Sequence, residues 1–162
     1  MSDTDTRQLH ATCVAIDGHG VMLIGPPGSG KSDLALRLID DPGCGLGDQQ
    51  MKSMLVGDDQ IVLARRSDTL IASPAAALAG LIEIRGIGIL KCPHLAEAPL
   101  ALVVKLMPQS SIERLPEAPG GDFEELGVSV AVIEVDASQP SAPARVRSGL
   151  QAVLSGTLDS HC

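Results

Sequence analysis

The segment with the most specific chemistry in this 162-residue chain is rich in glycine and lies near the start. It matches G-x-x-x-x-G-K-[ST], follows the apolar run Val21–Ile24, and precedes a segment with apolar residues at helical spacing, Lys31–Asp40. Glycines allow backbone N–H groups to converge on phosphate oxygens, and a helix amino terminus adds positive charge. The pattern predicts a P-loop that binds ATP and Mg²⁺ through Gly25, Pro26, Pro27, Gly28, Ser29, Gly30, Lys31 and Ser32.

Within that loop, two side chains have distinct chemistry. The ammonium group of Lys31 can neutralise the β- and γ-phosphates, and the hydroxyl of Ser32 can bind Mg²⁺. The alternative is a glycine-rich turn with an exposed lysine, but the flanking strand and helix patterns favour phosphate binding.

Two adjacent carboxylates, Asp58 and Asp59, follow the apolar run Met54–Val56. Carboxylates at a strand end can bind a divalent cation or take a proton from an acceptor hydroxyl. Spacing alone supports an ordinary acidic turn equally well. Both interpretations, a functional acidic pair and an acidic turn, therefore remain open at this point.

A second polar pair occurs at Glu83 and Arg85. Residues two apart in a strand share one face, so the glutamate could reach Mg²⁺ and the arginine a transferring phosphate. From spacing alone, a cross-strand ion pair on a solvated face is slightly favoured.

Composition restricts the class of protein. No apolar run approaches the roughly 20 residues of a membrane-spanning helix, and the polar start does not have the pattern of a signal peptide. We therefore expect a cytoplasmic protein. The net charge of −8 argues against a nucleic-acid partner. The arginine pairs Arg65–Arg66 and Arg145/Arg147 are expected on solvated faces.

The chain length and the absence of a linker predict one α/β domain over residues 1–162, with residues 1–8 flexible. Apolar periodicity predicts helices at Lys31–Asp40 and Ala142–Ser155. A long, irregular and mobile segment is expected at Pro108–Gly127, because it contains prolines, glycines and many charges. Strands are predicted at Leu9–Ile16, Val21–Ile24, Met54–Val56, Ile61–Ala64, Thr69–Ala72, Leu100–Leu106 and Val128–Val135, with a strand-and-loop segment at Ile82–Leu90.

Taken in order, several segments resemble the catalytic domain of HPr kinase/phosphorylase. The matching segments are Leu9-His10, Gly25–Ser32, Leu55–Asp59, Glu83–Ile89 and Ile112–Leu115. The resemblance covers roughly residues 9–135. The chain looks like the truncated form of this family in alpha-proteobacteria. It implies a P-loop fold related to phosphoenolpyruvate carboxykinase, with a central mixed sheet and flanking helices.

The resemblance also implies a function, which is the phosphorylation of a serine of the phosphocarrier protein HPr with ATP and Mg²⁺. By that likeness Asp58 is the base, and Asp59 supports it or binds a second cation. Mg²⁺ is held by Ser32 and Glu83, with Asp58 also a candidate ligand. His10 lies near the reacting phosphate, and charge is stabilised by Lys31, Arg85 and Arg114.

The chain departs from the family pattern after Val135. A P-G-R-N-like segment, tied in the family to dephosphorylation, is replaced by the proline- and serine-rich Ser138–Pro143. The resemblance therefore predicts the kinase activity more firmly than the phosphorylase activity. The family's C-terminal region helps to build a homo-oligomer, and its shortness here leaves the oligomeric state open.

Two other functions are compatible with a P-loop. A nucleoside-monophosphate kinase would carry an arginine-rich lid, and the sequence contains no such segment. An ATP-sensing module of a signalling system would bind nucleotide without transferring phosphate, and only measured transfer separates it from a kinase.

Overall fold

The structure is a computed structural model and describes residues 5–117 and 122–157. The described residues exclude 1–4, 118–121 and 158–162. The first two of these ranges belong to the regions that were predicted to be flexible or mobile. The described elements include two α-helices, α1 (Lys31–Asp40) and α2 (Ala142–Leu154), two short 3-10 helices, Ala76–Leu78 and Gln109–Ser111, and the strands β1 (Thr6–Leu9), β2 (Thr12–Ile16), β3 (His19–Ile24), β4 (Ser53–Gly57), β5 (Ile61–Arg66), β6 (Thr69–Pro74), β7 (Leu81–Ile84), β8 (Gly88–Lys91), β9 (Ala98–Leu106), β10 (Asp122–Glu125) and β11 (Val128–Val135).

The central sheet is mixed, as predicted. Its main path runs β1-β5-β6-β9-β3-β2-β4, and β11 pairs with β9 and with β10. The strands β3, β9 and β11 are parallel to one another, whereas β2 is antiparallel to both β3 and β4. The strands β2 and β3 form an antiparallel hairpin.

This strand arrangement brings the chemically distinctive loops to one edge of the sheet. The strand β4 has the same direction as β3, because both are antiparallel to β2. The carboxyl ends of β3, β4, β9 and β11 therefore meet at the edge where β2 begins. Open α/β sheets commonly bind ligands at the carboxyl ends of their strands.

Both faces of the sheet are covered by apolar packing. One core lies between the sheet and the helices α1 and α2, and it includes Val21, Leu34, Leu102 and Leu150. The opposite face is packed by residues of β2, β5, β6 and β9. Burial on both faces explains the continuous apolar run of β3, which the alternating pattern of a half-buried strand would not give.

The remaining strands form a separate antiparallel hairpin, β7–β8. It lies within the segment predicted as strand and loop, and its turn is at Arg85–Ile87. No helix of the described residues has the length and apolar character that crossing a membrane requires.

Three sequence predictions were wrong. The strand predicted from Leu9 to Ile16 is two strands, separated at His10 and Ala11. The irregular segment 108–127 contains β10, which pairs with β11 and is part of the sheet. Arg147 is buried rather than solvated, because its guanidinium donates hydrogen bonds to carbonyl groups at the end of α1, Leu38 and Asp41.

Candidate active site

The glycine-rich loop connects β3 to α1, as the motif predicts. Gly28 and Gly30 have φ values of 81° and 96°, which side chains with a Cβ adopt only with strain. A Cβ on Gly30 would also lie 3.0 Å from that of Ala137, so the loop packs directly against the segment after β11. The loop is therefore held in a conformation that depends on glycine.

Two polar side chains of this loop, Lys31 and Ser29, carry donors that bear on anion binding. The Lys31 ammonium donates hydrogen bonds to the carbonyl oxygens of Gly25 and Pro26, at 2.9 and 3.3 Å. Its charge is therefore held against the backbone of the loop. The Ser29 hydroxyl is buried and has no hydrogen-bond partner in the described part of the chain. A buried hydroxyl without a protein partner, in a loop with this sequence pattern, fits a phosphate site.

Asp58 is the centre of the hydrogen-bond network at this edge. Its side chain is buried, with 5% of the residue exposed. Its Oδ1 accepts hydrogen bonds from the hydroxyls of Ser32, at 2.7 Å, and Thr12, at 2.8 Å. Its Oδ2 accepts one from the backbone N–H of Glu83, at 2.9 Å. One carboxylate thus connects the P-loop helix, strand β2 and hairpin β7–β8.

The neighbouring Asp59 is exposed and has a φ of 70°, in the left-handed region that non-glycine residues rarely adopt. The start of β2 holds this turn by two hydrogen bonds. The N–H of Ala11 donates to the carbonyl of Asp59 at 3.2 Å, and the N–H of Asp59 donates to the Thr12 hydroxyl at 3.3 Å.

The hairpin β7–β8 approaches Asp58 through its backbone, while the side chains of Glu83 and Arg85 are exposed. Cys92, directly after β8, also lies near Asp58. Burial, and secondly the negative charge of Asp58, raise the pKa of the Cys92 thiol. This thiol is therefore protonated at neutral pH and is not an activated nucleophile.

Arg114 lies on the segment that follows β9, and Asp136 anchors the start of that segment. Asp136 Oδ2 accepts the backbone N–H of Gln109 at 2.8 Å, and Oδ1 accepts both the hydroxyl and the N–H of Ser138. Hydrogen bonds from the Ser138 hydroxyl and backbone, and then from Gln109, lower the pKa of Asp136.

The structure joins some of the sequence-predicted residues and leaves others apart. Ser32, Asp58 and the backbone of Glu83 are directly hydrogen-bonded, and Asp59 is held beside them. His10, Arg85 and Arg114 are exposed, and within residues 5–117 and 122–157 no hydrogen bond or ion pair connects their side chains to this network.

The side chains present fit a Mg²⁺-nucleotide. Ser32, Asp58 and Glu83 supply the hydroxyl and carboxylate oxygens that Mg²⁺ prefers. Because Ser32 donates its hydrogen to Asp58, the lone pairs of its oxygen remain free for a cation. Ser32 and Glu83 would hold Mg²⁺, and the loop Gly25–Ser32 would hold the phosphates. Asp58, the third candidate ligand, already accepts three hydrogen bonds.

Sequence reasoning missed three residues of this edge: Thr12, Cys92 and Asp136. Thr12 is a polar residue within the apolar stretch Ala11–Ile16, and that exception was the available signal. The positions of Cys92 and Asp136 depend on long-range pairing and carried no local signal.

A glycine-dependent loop between a parallel strand and a helix, with a serine–aspartate contact behind it, defines a P-loop α/β protein. A family model described as the HPr Serine kinase C-terminal domain matches residues 3–144. The chain therefore belongs to the HPr serine kinase C-terminal domain family.

Individual relatives agree with this assignment. An HPr kinase/phosphorylase of Mycoplasma mycoides subsp. mycoides is 33% identical over an alignment of 145 residues that covers 82% of this chain and 43% of the relative. One of Chlorobium phaeobacteroides is 32% identical over 130 residues, covering 80% of this chain and 35% of the relative. This chain thus spans less than half the length of these relatives.

A solved structure shares the fold over almost its whole length. The Hpr(Ser) kinase/phosphatase from Coxiella burnetii superimposes with a TM-score of 0.76 at 26% identity, covering 93% of this chain and 98% of that one. The predicted P-loop fold of the HPr kinase type is therefore confirmed.

Proposed function

We propose that this chain is a protein serine kinase that uses ATP and Mg²⁺ to phosphorylate HPr. The observation that carries the proposal is the Asp58 carboxylate, which is bonded to Ser32 of the P-loop and to the β7–β8 hairpin. This contact puts a proton acceptor beside the loop that would bind the γ-phosphate. Family membership and the names of the relatives support the same reaction.

In the proposed reaction, Asp58 accepts the proton of the acceptor serine as the serine oxygen forms its bond to the γ-phosphorus. The bond between the γ-phosphorus and the β,γ-bridging oxygen breaks, and ADP is the leaving group. Three of roughly four carboxylate lone pairs on Asp58 are already used, so one position on Oδ2 remains for the serine hydroxyl.

The other predicted residues act by charge and position. Lys31 stabilises the phosphates, and Mg²⁺ held by Ser32 and Glu83 supplies further charge neutralisation when bound. Exposed Arg85 and Arg114, with His10 at the same sheet edge, would contact the transferring phosphoryl group once both substrates are present. Most of the rate enhancement then comes from positioning and charge stabilisation.

The decisive experiment is intact-mass analysis of purified HPr after incubation with this protein, ATP and Mg²⁺. We expect one added phosphoryl group on a serine. Lys31→Ala should abolish the addition, because the phosphates lose their cation. Lys52→Ala, which removes an exposed lysine before β4, should behave as the unmodified protein does.

If HPr gained no mass while ATP binding remained measurable, the proposal would be contradicted in favour of an ATP-sensing module. Incubating seryl-phosphorylated HPr with the protein and inorganic phosphate tests the reverse direction. Loss of the phosphoryl group would show that dephosphorylation persists despite the altered segment after Val135.

A further inference from the structure

Thr12 carries a hydroxyl into a strand that is otherwise apolar. The residue is fully buried, as are its neighbours Ala11 and Cys13. A buried hydroxyl is costly unless it is hydrogen-bonded, so its partners indicate what it does there. Valine has nearly the same shape and would satisfy the strand without that requirement.

The Thr12 hydroxyl is used as donor and acceptor at once. Its hydrogen is donated to Asp58 Oδ1 at 2.8 Å, and its oxygen accepts the backbone N–H of Asp59 at 3.3 Å. A single hydroxyl therefore fixes the side chain of one acidic residue and the backbone of the next. The two hydrogen bonds are compatible, because a hydroxyl has one hydrogen and two lone pairs.

This contact acts where the backbone is strained. Asp59 has a φ of 70°, and a non-glycine residue keeps such a conformation only when its surroundings hold it. The neighbouring hydrogen bond, from Ala11 N–H to the Asp59 carbonyl at 3.2 Å, restrains the other side of the same residue. Strand β2 thus sets the geometry of the acidic turn.

We propose that Thr12 is a positioning residue, whose hydroxyl orients the Asp58 carboxylate and holds the turn at Asp59 for phosphoryl transfer. The kinetic part of this inference rests on the proposed kinase function. Thr12 does not touch the substrates; it acts through the two acidic residues.

The test separates the hydroxyl of Thr12 from its methyl group. Thr12→Val keeps the volume and removes the hydroxyl, whereas Thr12→Ser keeps the hydroxyl and removes the methyl group. We expect Thr12→Val to lower kcat for HPr phosphorylation about 10–100-fold, as loss of supporting contacts commonly does. The KM for Mg²⁺-ATP should change less than about twofold, since the P-loop itself is intact.

The variant Thr12→Ser restores the hydroxyl and is expected to retain kcat. Thr12→Ser should retain kcat within about threefold of the unmodified protein, even though loss of a buried methyl group lowers its unfolding midpoint. The control is Ser73→Ala, which removes a hydroxyl from strand β6 that donates only to the carbonyl of Val62. It should leave kcat unchanged.

Equal losses in Thr12→Ser and Thr12→Val would overturn the inference, because packing and not the hydroxyl would then be responsible. An unchanged kcat in Thr12→Val would overturn it as well. If Thr12→Val does not fold, Thr12→Ser is compared with Thr12→Ala, which differ only in the hydroxyl. A higher kcat in the Ser variant supports the role, and equal values contradict it.

A second readout does not depend on HPr. Hydrogen exchange of the Asp59 amide, followed by NMR without nucleotide, should be faster in Thr12→Val and close to normal in Thr12→Ser. If the unmodified protein transfers no phosphate to HPr, the proposed function fails. The positioning role is then tested by the hydrogen exchange of the Asp59 amide alone. Equal protection of Asp59 in both variants would then refute it.

Discussion

At the scale of single residues, the two adjacent aspartates have different environments. Asp58 is buried and accepts three hydrogen bonds, whereas Asp59 is exposed and is held through its backbone. A carboxylate with fixed orientation can be aligned with an incoming hydroxyl, since proton transfer requires hydrogen-bond geometry. This difference supports Asp58 as the proposed base and Asp59 as a supporting group.

We predict that Asp58→Asn retains ATP binding and loses phosphoryl transfer by about 10²–10⁴-fold, because the amide cannot accept the serine proton. Nucleotide titration and the initial rate of HPr phosphorylation measure the two effects. Asp59→Asn should cost less than Asp58→Asn. Asp68→Asn, at the exposed turn between β5 and β6, should be neutral. Full kinase activity in Asp58→Asn would show that this carboxylate is not the base.

At the scale of secondary-structure elements, the two helices are connected through Arg147. This side chain of α2 is buried and donates to the carbonyl oxygens of Leu38 and Asp41 at the end of α1. Carbonyls at a helix carboxyl terminus lack partners within the helix, and a cation is favourable there. Burial lowers the pKa of Arg147, which nevertheless remains protonated at neutral pH.

We predict that Arg147→Met destabilises the protein by about 3 kcal/mol, since it leaves two carbonyl groups without their charged donor. Urea unfolding followed by circular dichroism gives the change. The matched control on the same helix is Arg145→Met, which removes an exposed guanidinium bonded to Ser141 and should cost less than about 0.5 kcal/mol. Similar losses in both variants would argue against this role.

A second element-level contact is the Asp136 turn, which fixes the start of the segment carrying Arg114. The lowered pKa of Asp136 means that its charged form is stabilised by folding. This contribution is present above the ordinary aspartate pKa of about 3.9, and it is lost as the pH falls through the lowered folded pKa.

We predict that Asp136→Ala loosens this segment at neutral pH, because Gln109 and Ser138 lose their common acceptor. Their backbone amides should exchange with solvent faster, and the same loss of protection should occur in the unmodified protein at strongly acidic pH. Asp48→Ala, at an exposed loop position, is the control. Unchanged exchange at Gln109 would contradict the anchoring role.

At the scale of the whole molecule, strand β9 connects the two parts of the sheet. Its first residues pair with β6, and its later residues pair with both β3 and β11. Successive side chains point to opposite faces, so Leu102 enters the core beneath the helices and Val103 the opposite core. We therefore expect the sheet to unfold as one cooperative unit.

We predict that Leu102→Ala destabilises the whole molecule by about 2–5 kcal/mol, because it leaves a cavity at a fully buried position. Urea unfolding should remain a single transition when it is followed both by circular dichroism and by alkylation of buried Cys13. Leu46→Ala, at a highly exposed leucine, should change stability by less than about 0.5 kcal/mol. Separate transitions for the two probes would contradict cooperative unfolding.

The sequence by itself determined the features that depend on local chemistry. The P-loop follows from eight consecutive residues, and α1 begins and ends at the predicted Lys31 and Asp40 because its apolar spacing and the Pro42-Gly43 stop are local signals. Strand β11 also has the predicted limits, Val128–Val135. The order of the motifs was sufficient to indicate the family.

Only the tertiary structure decided which of these residues touch. Asp58 is hydrogen-bonded to Thr12, Ser32 and Glu83, which lie 46, 26 and 25 positions away from it in the sequence. The burial of Arg147 depends on the end of α1, more than a hundred residues earlier. Periodicity and spacing report on neighbours along the chain, whereas these contacts depend on the direction and order of strands in the sheet, which local patterns do not encode.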